Sequence, residues 1–309
     1  MTYSGDNSAE VALIHKLYKG CRTAVVTGPA ALRLHGVATL DWVKKIDLVY
    51  RGRNRAKSRG KWRRAAHYRS GLLDDAHVTR RHGLRTTSVV MALFDTYRYH
   101  GRLPALISIE SALFHIPWLT KAKLLTWAGA LPQSPGVRGF RELIGYAAET
   151  SQSPLESWGR DSLLQASIPG LAKVEGQAEF RYTVGGEEKA GRIDLLLNEI
   201  VALELDGRIK TDGRYGEWAQ VTAKERAREI GLMQSGKWVL RAGWDDVKSG
   251  RLVRMVSDCL KTLGCTGPGL HWAHEPAHIP GCRSPRSGHD ATRAGAVGGA
   301  RFEPCQRPG

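Results

Sequence analysis

Residues 189–206 constrain the fold of this chain more than any other stretch. KAGRIDLLL (189–197) and IVALELD (200–206) are apolar runs of strand length, separated only by Asn198 and Glu199. Such runs read as neighbouring antiparallel strands. Yet they carry acids at Asp194, Glu204 and Asp206. Aspartate and glutamate are poor strand formers and costly to bury unpaired. They recover that cost when they coordinate a divalent cation. Mg²⁺, with Mn²⁺ as an alternative, takes oxygen ligands, usually one or two carboxylates with waters and phosphate oxygens. The other reading makes these acids strand-end residues that cap turns.

The spacing carries a geometric test. Glu204 and Asp206 are two apart and share one face of their strand. A two-residue turn at Asn198-Glu199 would pair Asp194 with Leu203 and send Glu204 to the opposite face. A shared site therefore requires an odd loop, such as 198–200, or a bulge.

The surrounding pattern predicts a sheet clothed by helices. PLESWGRDSLLQAS (154–167) reads as a helix, QAEFRYTV (177–184) as a strand, and 217–236 as a helix closed by Gly236. KWVLRAG (237–243) is a buried-type strand, and 244–264 a last helix. Runs such as VALEL and WVL suit a sheet covered on both faces. The expected class is α/β: a C-terminal three-layer α/β/α domain with a mixed sheet over 151–263. A smaller α+β or helical domain over 1–115 precedes it, with a helical connector over 116–150. Residues 264–309 are rich in Gly, Pro, Ala, Arg and Ser and are expected to be disordered.

In the first half, helices are expected over 8–19, 29–36, 85–101 and 137–150, and strands at Val25-Val26 and 45–50. The stretch RGRNRAKSRGKWRR (51–64) holds eight basic residues, Arg51, Arg53, Arg55, Lys57, Arg59, Lys61, Arg63 and Arg64, and no acid. They recur mostly at every second position, which fits a loop or extended ribbon better than a helix face. It reads either as an arm that contacts phosphates or as a solvated hairpin loop. The formal net charge of +16 points to a polyanionic partner, most simply nucleic acid. His35 reads as a core histidine satisfied by backbone.

The run RIDLLLNEIVALELDGRIK resembles the core of the PD-(D/E)XK nuclease superfamily. It is most similar to the Vsr-like (very-short-patch-repair endonuclease-like) domain of unknown function. That family shows an Asp-bearing strand, a strand ending Glu-x-Asp-Gly, and a Glu near the start of the first helix, which SPLESW supplies as Glu156. AKERARE is similar to its following helix, with Lys224, Glu225, Arg226 and Glu229. The resemblance covers about 151–262 and implies a restriction-endonuclease-like fold. It also implies Mg²⁺-dependent cleavage of DNA, with Asp194, Glu204 and Asp206 at the metal and Glu156 in support. The usual lysine two residues after Glu204 is Asp206 here. The histidine often seen after the Asp-Gly step is Lys210. Lys210 or Lys224 would then meet the phosphate. Residues 20–115, with TGPAALRLHGV and RTTSVVMALFDTYRYHG, resemble the region upstream of such domains in AbiEi-like antitoxins. That resemblance implies a cognate toxin and a rival, non-enzymatic regulatory role. Residues 1–19 leave room for one helix only, so the winged helix-turn-helix of such families is expected to be missing.

Other classes are excluded on composition. The five cysteines are odd in number and mostly C-terminal, which is no disulfide framework. No apolar run approaches the ~20 residues that span a bilayer, and the N-terminus lacks a basic-then-apolar signal pattern. A soluble cytoplasmic protein is expected. Cys265, His271, His274, His278 and Cys282 match no standard zinc spacing.

Overall fold

The computed structural model describes residues 8–21, 23–54, 56, 58–184, 186–207, 223–265, 267 and 269. Element order in the first half is α1 (Ser8–Tyr18), β1 (Val25–Thr27), α2 (Gly28–Leu34), β2 (Ile46–Val49), β3 (Gly52–Asn54), β4 (Ala66–Tyr68), β5 (Gly71–Leu73), β6 (Val78–Arg81), β7 (Leu84–Thr87), α3 (Val89–His100), α4 (Arg102–His115), α5 (Lys121–Gly129) and α6 (Val137–Tyr146). The second half runs α7 (Pro154–Gln165), β8 (Val174–Val184), β9 (Glu187–Leu197), β10 (Val201–Leu205), α8 (Ala223–Gln234), β11 (Trp238–Ala242), α9 (Trp244–Lys248) and α10 (Arg251–Thr262). The fold is mixed α/β, and no helix among the described residues is long and apolar enough to cross a membrane.

The first core is built on a five-stranded sheet in the order β4-β2-β1-β7-β6. Buried side chains from Ile14 to Ala147 form one cluster around it. Residues 116–150, expected as a connector, contribute Leu119, Leu124, Ala128, Leu131, Phe140, Leu143 and Ile144 to that cluster. The first body is therefore the larger one, not the smaller. The segment 85–101, expected as one helix with a threonine cap, divides instead. Leu84–Thr87 pairs with β1 and β6, and the helix starts only at Val89. Thr86 and Thr87 are β-branched and fully buried in the sheet, where such side chains fit better than in a helix.

The second sheet runs β11-β10-β9-β8, antiparallel except for the parallel pair β10–β11. Leu195, Leu197, Val201, Leu203 and Leu205 pack on one face with Leu155 and Leu163 of α7 and Leu252, Val256 and Leu260 of α10. Leu196 and Ala202 pack on the other with Phe180, Tyr182 and Leu232 of α8. Both faces are covered, as the apolar run Val201 to Leu203 of β10 requires. The last helix, expected over 244–264, breaks at Ser249-Gly250, where Gly250 adopts φ +72°. Residues 264–309 fall almost wholly outside the described residues.

The two bodies meet through α7. Arg102 pairs with Asp161 at 2.8 Å, and Arg160 pairs with the buried Glu110 at 2.9 Å. Tyr146 donates to Asp161 at 2.8 Å. The helix that carries Glu156 is thereby bonded to α4 of the first body.

Candidate active site

The loop between β9 and β10 decides whether the acids can meet. Val201 pairs with Leu197, Ala202 with Leu196 and Leu203 with Leu195. The loop is therefore 198–200, the odd length the acids require. Asn198 and Glu199 adopt φ +48° and +64°, left-handed conformations that asparagine tolerates best among non-glycine residues. Asn198 is held by its own side chain, which accepts from Ala172 N and Lys173 N at 2.7 and 2.9 Å. One step further along this register, Glu204 stands opposite Asp194 on the same face.

Each acid is held by identifiable neighbours. Asp194 Oδ2 accepts from Leu205 N at 2.7 Å. Glu204 pairs with Arg228 of α8 at 2.8 Å, and the same guanidinium donates to Arg192 O. Glu156 sits in the first turn of α7, where Ser153 caps its backbone N–H at 3.2 Å. Its Oε2 accepts from Gln152 N at 2.9 Å and Gln177 Nε2 at 3.0 Å. Gln177 adopts φ +55° in the edge strand β8. On either side of this step β9 changes the face it buries. Ile193 packs with Phe180 beneath α8, whereas Leu195 packs beneath α7. Asp194 lies at the crossover.

Burial and mutual repulsion raise all three acids. Burial pushes Glu156 up to about 7, opposed by the Gln152 bond and reinforced by Asp194. Asp194 is raised by burial, against its Leu205 bond and Arg228, and Asp206 adds to the rise. Glu204 is raised by burial and then by Asp194, against Arg228. The sign for stability follows. A carboxyl whose pKa is higher folded than unfolded holds its proton more tightly in the native state. Its stabilising contribution is present below the ordinary value of 4.5 and is lost as pH rises to about 7. Glu156→Gln should therefore flatten the fall in melting temperature over that window. An unchanged pH slope in the variant would show that Glu156 is not raised.

Asp206 is exposed at the end of β10, and its N–H donates to Ala242 O at 3.0 Å. Lys210 lies outside the described residues. Lys224 is in α8, one turn before Arg228, but its side chain is not among those described. Arg228 was missed by the sequence reading, although its i+4 spacing from Lys224 places both on one helix face. Gln177 was also missed, and no strand pattern marks it. Among the described residues, no three His, Cys, Asp or Glu side chains are grouped closely enough to hold a metal ion as they stand. The bonds above give the reason: Asp194 turns to Leu205, Glu204 to Arg228 and Glu156 to Gln152.

The position of α8 depends on Gly231. A Cβ there would overlap Tyr182 of β8. Gly231→Ala should cost about 1–3 kcal/mol from overpacking and displace Arg228 from Glu204, checked by thermal melting. A variant as stable as the parent would mean that α8 does not dock in this way.

Of the basic arm, Arg51, Arg53, Arg59, Lys61, Arg63 and Arg64 are exposed, while Arg55 and Lys57 lie outside the described residues. The arm is tacked down: β3 pairs with β5, Arg51 donates to Asp75 at 2.6 Å, and Arg63 donates to Lys19 O at 2.5 Å. His35 is satisfied as expected, its Nε2 lying 2.8 Å from Thr87 O.

No protein-family model matches this chain, and neither a curated protein nor a solved structure does.

Proposed function

We propose that this protein is a DNA-directed, Mg²⁺-dependent endonuclease of restriction-endonuclease-like fold, with Asp194 and Glu204 as its central acids. The observation that carries the proposal is the odd β9–β10 loop, which sets these two acids opposite each other next to Glu156. Nothing in the hydrophobic core calls for three neighbouring acids, each raised by burial and by another carboxylate. An all-oxygen donor set of this kind suits Mg²⁺ or Mn²⁺. When bound, the ion would activate a water and stabilise the leaving oxygen of a phosphodiester. Glu156 and Gln177 position Asp194 from the β8 side. Asp206, exposed just after β10, would assist as ligand or base where a phosphate arrives. Lys210 and Lys224 remain the proposed phosphate contacts, and the exposed arm from Arg51 to Arg64 adds sequence-independent grip.

The test is nicking of supercoiled plasmid by the purified protein with Mg²⁺ or Mn²⁺, and loss of nicking with EDTA. No cleavage with either ion would overturn the proposal. A second reading rests on the Arg228–Glu204 pair. A guanidinium that already neutralises Glu204 supports a non-cleaving nucleic-acid binder, in the manner of a regulatory antitoxin with a cognate toxin. In that case Arg228→Met should leave the protein inactive, and DNA binding should be tight, metal-independent and weakened by salt.

A further inference from the structure

A second polar cluster lies in the first body, far along the chain from the acids of β9 and β10. Thr27 of β1 pairs with Asp47 of β2, and Asp47 pairs with His67 of β4. Strand registry thus lines three polar residues across adjacent strands. Helix α3 crosses above them with Asp95, Arg98, Tyr99 and His100. His100 Nε2 lies 2.6 Å from Asp47 Oδ2, and Arg69 Nε donates to Asp47 Oδ1 at 2.7 Å. Thr27 donates to Asp95 Oδ2 at 2.6 Å. Gly28, at φ +61°, leaves the space beside Asp47 that a Cβ would crowd at 3.0 Å.

The cluster is layered by charge. Both acid side chains are 3% exposed, whereas those of Arg69 and Arg98 are 18% and 17% exposed and those of His67 and His100 34% and 31%. The acids lie innermost, and the four nitrogen-rich side chains lie nearer solvent. Apolar residues in such a core would often be as stable or more so, so the network is not explained by stability alone. The two guanidiniums are set by one ring: their Cζ atoms lie 4.4 Å (Arg69) and 4.9 Å (Arg98) from the centroid of Tyr99. The Arg98 guanidinium makes no hydrogen bond among the described residues, and its nearest carboxylate oxygen, on Asp95, is 3.7 Å away. A planar fork of N–H donors, stacked and without acceptors, matches the oxygens of a phosphate.

The cluster is also joined to the basic arm. Tyr99 Oη donates to Ser70 O at 2.8 Å, and Ser70 Oγ accepts from Ala56 N in the arm at 2.8 Å. Arm and cluster are therefore linked through Ser70.

We infer that Arg98 and Arg69, with His67 and His100 beside them, bind a backbone phosphate of a nucleic acid lying along the basic arm. The site needs no metal and no cleavage, so it stands or falls apart from the acids at Asp194 and Glu204.

The probes are a short DNA duplex and inorganic phosphate. Arg98→Gln should weaken duplex binding about tenfold, the worth of one charge-assisted hydrogen bond. It should also reduce the slope of log affinity against log salt by about 1. Inorganic phosphate should shift the ring NMR signals of His67 and His100, assigned through His67→Gln and His100→Gln, in the parent and not in Arg98→Gln. If Arg98→Gln does not fold, as judged by melting, His67→Gln takes its place in the binding assay. Unchanged affinity and salt slope in a folded variant would overturn the inference. So would His67 and His100 signals that ignore phosphate. Phosphate binding with unchanged duplex affinity would mean that the site takes free phosphate rather than the backbone.

Discussion

Asp194→Asn is expected to reduce Mg²⁺-dependent plasmid nicking by a factor of roughly 10²–10³ or more, the scale on which removing one charge-stabilising group acts. Asparagine keeps an oxygen that can accept the Leu205 N–H, so the β9–β10 register should survive. It removes the negative charge that a cation requires. Glu204→Gln should act in the same direction, with the added release of Arg228. Duplex binding should be retained in both, because the six exposed cations of the arm lie outside the acid pair. Nicking that persists undiminished in Asp194→Asn would place the chemistry elsewhere or assign it to a contaminant.

Arg160→Met is expected to destabilise the protein by about 3–5 kcal/mol, the cost of leaving a buried charge without its partner. Glu110 is wholly buried, and its Oε1 is held by Arg160 at 2.9 Å and by Ala148 N at 2.8 Å. Its other oxygen, Oε2, makes no hydrogen bond among the described residues. Arg160 also donates to Tyr146 O at 3.0 Å and stacks on that ring at 5.0 Å. The variant therefore loosens the junction between α4, α6 and α7. Denaturant unfolding checks the size of the loss. A second substitution, Glu110→Leu, should restore much of it, because it removes the stranded charge. A loss below about 1 kcal/mol, the ordinary worth of an exposed pair, would show that this junction does not hold the two bodies together.

How far the site was legible depended on where its information lies. Apolar runs marked β9, β10 and β11, because Leu195 to Leu197 and Val201 to Leu203 are buried between helices on both faces. Parity reasoning on Asn198 and Glu199 required an odd loop for Asp194 and Glu204 to share a face, and the loop is 198–200. The strands β3 to β6 were not legible. They are three or four residues long, border solvent, and alternate among glycine, arginine and histidine, so no apolar period marks them. The strand Leu84–Thr87 was hidden for another reason. It leads directly into α3, and its threonines pass equally well for a helix cap.

What the sequence alone determined is which residues could form a site: acids embedded in apolar strands, and a helix bearing Glu156 before them. That follows from local chemistry, since burying a carboxylate is costly wherever the strand ends up. Only the tertiary structure decided how the acids stand. It turned Glu204 toward Arg228, tied Glu156 to Gln177 through a left-handed step, and bonded α7 to the first body through Arg160 and Asp161. It also assembled Asp47, Asp95 and the arginines around Tyr99 from β2, α3 and the turn after β4. Such pairings depend on strand order and helix docking, which couple residues from about twenty to seventy positions apart, and no local pattern carries them.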